Sequence, residues 1–201
     1  LESLALHALF AASTLRVEQP PGVPSARSKY TILDGAGVLL ARAAEERVPV
    51  RRQAFRALFG DAGGAPRTVQ VTGVDGAPLF VIAKPKGAAG AVVLDPAGAV
   101  IGDLRRGRRT FVYSLHDGAG RVVGELAGNR LGRRFAVTDH AGVEVAQIDK
   151  KWAGLGKEVL TTADRYTVDL RRPMHGPLHV LVIAAALAID LMHYEEKDFT
   201  P

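Results

Sequence analysis

Leu104-Arg105-Arg106-Gly107-Arg108-Arg109 places four arginines on one short stretch that reads as a hairpin turn. A guanidinium offers a planar fork of donors matched to phosphate or carboxylate oxygens, so clustered arginines suit an anionic partner. Arg133-Arg134 and Lys150-Lys151 extend the basic surface, and Lys84 and Lys86 add to it. Beside an anionic membrane each such cation contributes about 1 kcal/mol. Taken singly, any one of these clusters also reads as a solvated turn. Nucleic acid fits less well: aromatic residues are 6% of the chain and do not interleave with the arginines as a base-stacking platform requires. The expected partner is anionic phospholipid or a membrane surface, met by Arg105, Arg106, Arg108, Arg109, Arg133, Arg134, Lys150 and Lys151.

Other reactive chemistry is sparse. The chain has no cysteine, which excludes disulfides, thiol catalysis, cysteine-ligated zinc and S-acylation. His175 and His179 are four apart, but Gly176 and Pro177 intervene, so the two do not share a helical face as a zinc pair would. No Gly-x-Ser-x-Gly, Walker or dinucleotide-binding pattern occurs. No catalytic residue and no cofactor are expected, and the chain is not read as an enzyme.

The 201 residues, 47% hydrophobic and 23% charged, suit one globular domain spanning 1–201 with a sizeable core. The formal net charge of +5 agrees with an acidic or anionic partner without naming one. Residues 1–12 are apolar but carry Glu2 and His7 and lack a basic leader region, so they read as a loose N-terminal segment rather than a signal peptide. Frequent Ala, Gly and Arg suggest a GC-rich bacterial genome. The expected location is cytoplasmic, with peripheral contact at the inner face of the plasma membrane.

The elements that must carry these cations announce themselves by repetition. Asp-x-Ala-Gly occurs at Asp34–Gly37, Asp95–Gly98, Asp117–Gly120 and Asp139–Gly142, the last three 22 residues apart (117 minus 95, 139 minus 117). A variant, Asp75-Gly76-Ala77-Pro78, precedes them. Asp hydrogen-bonds backbone two residues on and Gly accepts positive φ, so each is a tight turn. The flanks, such as Thr68–Thr72, Thr110–Leu115 and Arg134–Thr138, alternate or are β-branched. Half a period suits one strand and its turn. The body is thus a meander of antiparallel hairpins, about twelve strands, and because solenoid and propeller signatures are missing an antiparallel barrel is the better reading. A short helix is predicted over Arg51–Phe59.

Residues 177–194, PLHVLVIAAALAIDLMHY, are the one strongly helical run and are apolar on every side. Pro177 suits a first helical position and Gly176 breaks the chain before it. The stretch free of polar side chains, Val180–Ile189, is short of the roughly 20 residues a bilayer span needs. A helix threaded through the barrel satisfies both its own apolarity and the inward faces of the strands. Asp190 must then find a basic residue or backbone amides at the barrel mouth, or else serve as a proton or ion relay. His193, three residues on, is within its reach, and Trp152 is expected to pack as a lid on one end.

Asp149-Lys150-Lys151-Trp152-Ala153-Gly154, then Thr161-Thr162-Ala163-Asp164-Arg165-Tyr166, then the run from Ile183 ending Ala188-Ile189-Asp190-Leu191-Met192-His193-Tyr194-Glu195, resembles the phospholipid scramblase family in order and spacing. Leu15–Gln19 and Tyr30–Asp34 are similar too. The resemblance implies a tubby-like fold, shared with plant LURP-one-related proteins: a closed barrel of about twelve antiparallel strands around a buried C-terminal apolar helix. It implies calcium-stimulated movement of phospholipids between leaflets, or membrane-associated lipid binding. In the segment matching the family's calcium-associated residues only Asp164 and Asp169 are carboxylates, beside Arg165, Arg171 and Arg172. Calcium takes about six to eight oxygens, several from carboxylates, so these two make a weak site. The alternative to a membrane role is a soluble tubby-like module that binds a ligand or another protein.

Overall fold

The computed structural model describes residues 7–19, 29–45, 67–85, 87–151 and 165–197. Twelve strands follow one another: β1 (Thr14–Glu18), β2 (Lys29–Asp34), β3 (Leu39–Glu45), β4 (Arg67–Gly73), β5 (Pro78–Lys84), β6 (Gly90–Leu94), β7 (Val100–Arg106), β8 (Val112–Asp117), β9 (Val122–Gly128), β10 (Arg134–Asp139), β11 (Glu144–Lys151) and β12 (Arg165–Leu170). A one-turn helix, α1 (Ala8–Ala11), precedes them, and α2 (Gly176–Lys197) closes the chain. Each strand pairs antiparallel with its neighbours in sequence, and β1 pairs with β12, from Thr14 opposite Asp169 to Glu18 opposite Arg165. The sheet is therefore a closed barrel of twelve strands and has no free edge. The predicted helix over Arg51–Phe59, Trp152 and Asp164 lie outside the described residues.

The recurrent turns are built as their chemistry requires. Gly37, Gly98, Gly120 and Gly142 have φ between +78° and +91°, and each donates its amide to the carbonyl of the Asp three residues before. The same Asp side chains accept from the amide four residues on, at Val38, Ala99, Arg121 and Val143, with distances of 2.8–2.9 Å. A register shift precedes each turn. A glycine at positive φ beside such a shift matches the bulged hairpin loop, whose twist suits antiparallel neighbours.

These turns join an even strand to the next odd one, so antiparallel alternation collects them all at one end of the barrel. The 22-residue period is one out-and-back pair of strands. The opposite end holds the connections from odd to even strands, and these carry the arginine and lysine clusters. The two ends are chemically distinct.

Inward residues alternate along each strand: Leu15 and Val17, Phe80 and Ile82, Phe135 and Val137, Tyr166 and Val168 are buried in one cluster with α2. Helix residues Val180–Met192 are all buried, and Ala184, Ala185, Ala186 and Ala188 have no exposed surface. The helix enters at the Asp-turn end and runs to the basic end. Small residues on both sides make this fit. A Cβ at Gly102 of β7 would meet Leu181 Cδ1 at 2.9 Å, and one at Gly124 of β9 would meet Leu178 Cδ1 at 3.1 Å. Residues Ala8–Ala11 of the N-terminal segment, read as loose, form α1, with Leu9 and Phe10 buried.

The outer wall is uneven. Around β9–β12 and β1 it presents Arg16, Glu18, Glu125, Gln147, Asp149 and Asp169. On β5 and β6 the outward Val81, Ala83, Val92 and Leu94 form a second buried apolar cluster. No helix among the described residues is long and apolar enough to cross a membrane.

Candidate functional site

All eight cations expected from sequence lie at the basic end. Arg105 and Arg106 close β7, Arg108 and Arg109 occupy the β7–β8 loop, Arg133 ends the β9–β10 loop and Arg134 opens β10, and Lys150 and Lys151 close β11. Lys29, Arg67 and Arg165, which start strands here, join them, whereas Lys84, expected on the same basic surface, is buried at the end of β5 with its Nζ donating to the Pro85 carbonyl at 3.3 Å.

Their surroundings differ. Arg105 donates Nε and Nη2 to Asp103 at 2.7 and 2.9 Å, and this bond to a buried carboxylate raises its pKa. His116 on β8 approaches the same Asp103 oxygen at 3.2 Å. Arg134 faces Asp149 across the β10–β11 ladder, with Nε 3.0 Å from its carboxylate. Lys150 turns inward, its Nζ 3.9 Å from Asp190 and 5.2 Å from the Tyr166 ring. Arg106, Arg108, Arg109, Arg133 and Lys151 are exposed. Arg108, Arg109 and Lys151 have no ion-pair partner among the described residues.

The loops that hold them are fixed. Phe111 is the one non-glycine residue at positive φ (62°) among the described residues. An L-residue there costs roughly 1–2 kcal/mol, offset here by contacts. The Phe111 ring packs edge-on against Phe135 with centroids 6.3 Å apart, and its carbonyl accepts from the Gly128 amide at 2.7 Å. It also underlies Gly132, where an added Cβ would lie 2.8 Å from the ring. The β7–β8 and β9–β10 loops thus form one patch. That patch contains Arg130 and Leu131, which the reading of the sequence did not single out. The clue was present: Asn129-Arg130-Leu131-Gly132 has the spacing of the Asp-x-Ala-Gly turns.

Just inside the same end sits Asp190. Tyr30 of β2 and Tyr166 of β12 donate their hydroxyls to its two oxygens at 2.5 and 2.9 Å. Both tyrosines are inward-facing and buried. Of the partners expected for this carboxylate, the basic residue is present as Lys150, and the two phenols add donors that the sequence did not disclose. The helix continues to Lys197, so Asp190 lies well before its C-terminal turn. Of His193's side chain nothing is described.

Of the two calcium candidates, Asp164 lies outside the described residues. Asp169 is on the outer wall of β12, accepting from Thr14 Oγ1 at 3.0 Å. Among the described residues no group of three or more His, Cys, Asp and Glu side chains could hold a metal ion.

At the opposite end a cavity of about 510 Å³ opens beside the start of α2, lined by Phe10, Met174 and Val180 and by Arg171, Arg172 and His179 among others. Burial lowers the pKa of His179, the nearby His175 lowers it further, and the Met174 carbonyl opposes both. Its ring stands edge-on to Phe10 at 5.4 Å. In the turns of this end, Asp117 is held below the usual carboxylate range by the amide of Arg121, aided by that residue's guanidinium.

Comparison with known proteins agrees with the architecture. The X-ray structure of an Arabidopsis thaliana protein is similar over 90% of this chain and 91% of that one, with a TM-score of 0.51 at 13% identity, a likeness of fold alone. No curated protein sequence matches. The family model described as Scramblase matches residues 80–196, from β5 to the end of α2. Those residues are more than half of the chain and include the basic loops, the inward Tyr166 and the helix with Asp190, so the chain belongs to the scramblase family.

Proposed function

We propose that this protein is a non-enzymatic, peripheral binder of anionic phospholipid that docks through the basic end of its barrel. The observation that carries this reading is the segregation of charge: the exposed Arg106, Arg108, Arg109, Arg130, Arg133 and Arg134 gather on one end, while the aspartate turns, with Arg121, Arg171 and Arg172 among them, occupy the other. Arginine clusters of this kind bind phosphate oxygens and gain from the negative surface potential of anionic lipid.

The same reading keeps the barrel outside the hydrocarbon. Charged residues on the outer wall, such as Arg16, Glu125 and Asp149, are costly against lipid. An apolar helix sealed among strands offers no path for a headgroup. The reading therefore assigns lipid binding and no transfer between leaflets, and a dithionite assay on reconstituted vesicles is expected to show no accelerated lipid exchange. The direct test is flotation with phosphatidylcholine vesicles with and without phosphatidylserine: association is expected only with the anionic lipid and declines as salt rises.

A second reading, a ligand-binding module with no membrane role, draws support from the cavity beside α2. It predicts no vesicle association at any ionic strength.

A further inference from the structure

The β9–β10 turn at the basic end repeats the geometry of the aspartate turns with two changes. Gly132, at φ +60°, donates its amide to the Asn129 carbonyl at 2.9 Å, and Asn129 Oδ1 accepts from the Arg133 amide, four residues on, at 3.0 Å. These are the bonds that Asp139 makes around Gly142 at the other end. Asn performs the turn's work without a negative charge. At the third position, where the other turns carry Ala36, Ala97, Ala119 and Ala141, this one carries Leu131.

Turn geometry does not ask for that leucine, since alanine serves four times. Nor does packing: Leu131 is 71% exposed, the most exposed of the large hydrophobic residues described. Arg130 and Arg133 flank it, and Arg108 and Arg109 lie on the adjoining loop that Phe111 ties to it. A polyanion in water has no use for an exposed leucine among arginines. A bilayer does: the guanidinium groups meet lipid phosphates while the leucine enters the acyl boundary, a pairing of charge and apolar insertion found at membrane interfaces.

We propose that Leu131 is an apolar wedge that enters the outer acyl region of an anionic bilayer, with Arg108, Arg109, Arg130 and Arg133 seated on the phosphates around it. This rests on the membrane-docking reading of the basic end and specifies its partner as a bilayer surface rather than a soluble polyanion or phosphorylated protein.

Because the chain has no cysteine, Leu131→Cys can carry a single environment-sensitive NBD label, with Ala141→Cys, the equivalent position of an aspartate turn, as its control. With phosphatidylcholine–phosphatidylserine vesicles the label at position 131 brightens and is quenched by nitroxide on the lipid acyl chains. The label at position 141 does neither. In flotation of the otherwise unchanged chain, Leu131→Ala weakens association about tenfold at every salt concentration, as partial burial of the lost methyl and methylene groups requires, whereas Leu131→Phe retains it. Flotation that is intact in wild type and indifferent to Leu131→Ala, with a label at 131 left in water, overturns the wedge but spares the electrostatic docking. Absence of flotation by the wild-type protein overturns both.

Discussion

Two kinds of residue organise this molecule: donors and acceptors buried inside it, and cations left outside. Asp190 belongs to the first. A carboxylate inside an apolar barrel is tolerable only with partners, and Tyr30, Tyr166 and Lys150 supply them from three strands. Asp190→Ala removes their shared acceptor and is expected to cost about 3–5 kcal/mol in urea unfolding, while Asp190→Asn, which can still accept from the tyrosines, costs less. From sequence, Asp190 was recognisable as needing a partner and Lys150 as available. The tyrosines were not, since Tyr30 is 160 residues away and only closure of the barrel brings it near. His179 gives a second prediction at this scale. Its folded pKa lies below the ordinary 6.5 because burial disfavours the imidazolium, so the unfolded chain binds its proton more readily. The stability that neutral His179 allows is complete above about pH 6.5 and is lost as pH falls through its lower folded pKa. Thermal melts across that window are expected to show a smaller acid-side loss for His179→Leu than for wild type.

At the scale of elements, what was legible depended on how local the determinant is. The aspartate turns were readable because an Asx side chain and a positive-φ glycine act within a few residues. The helix was readable because Ala, Leu and Ile fill it on every side. The turn holding Leu131 escaped because Asn stands for Asp and Leu for Ala, although the hydrogen bonds are the same. The fit of helix to barrel was also hidden, for it depends on pairs such as Gly102 with Leu181 that meet only across the interior. That fit leaves no room in the middle of α2. Ala185→Leu, at a position with no exposed surface, is expected to destabilise by about 1–3 kcal/mol through overpacking, read as a lower urea midpoint with an unchanged slope.

The whole molecule is a barrel with two unlike ends, and this polarity follows from the sequence in a simple way. A repeat of two strands puts every aspartate turn at one end; the cations between repeats then fall at the other. The clusters at Arg105–Arg109, Arg133–Arg134 and Lys150–Lys151 were visible as separate groups, but their union required the antiparallel pairing of β7 through β12 side by side. Docking by one end is thus a claim about position rather than net charge, and flotation can separate the two. Arg108→Ala with Arg109→Ala removes two exposed cations from the basic end, and Arg171→Ala with Arg172→Ala removes the same charge from the opposite end. With phosphatidylcholine–phosphatidylserine vesicles at moderate salt, the first pair is expected to weaken association roughly tenfold or more, at about 1 kcal/mol per cation, and the second to leave it near wild type. Equal losses for the two pairs, or full binding after loss of Arg108 and Arg109, would contradict docking through the basic end.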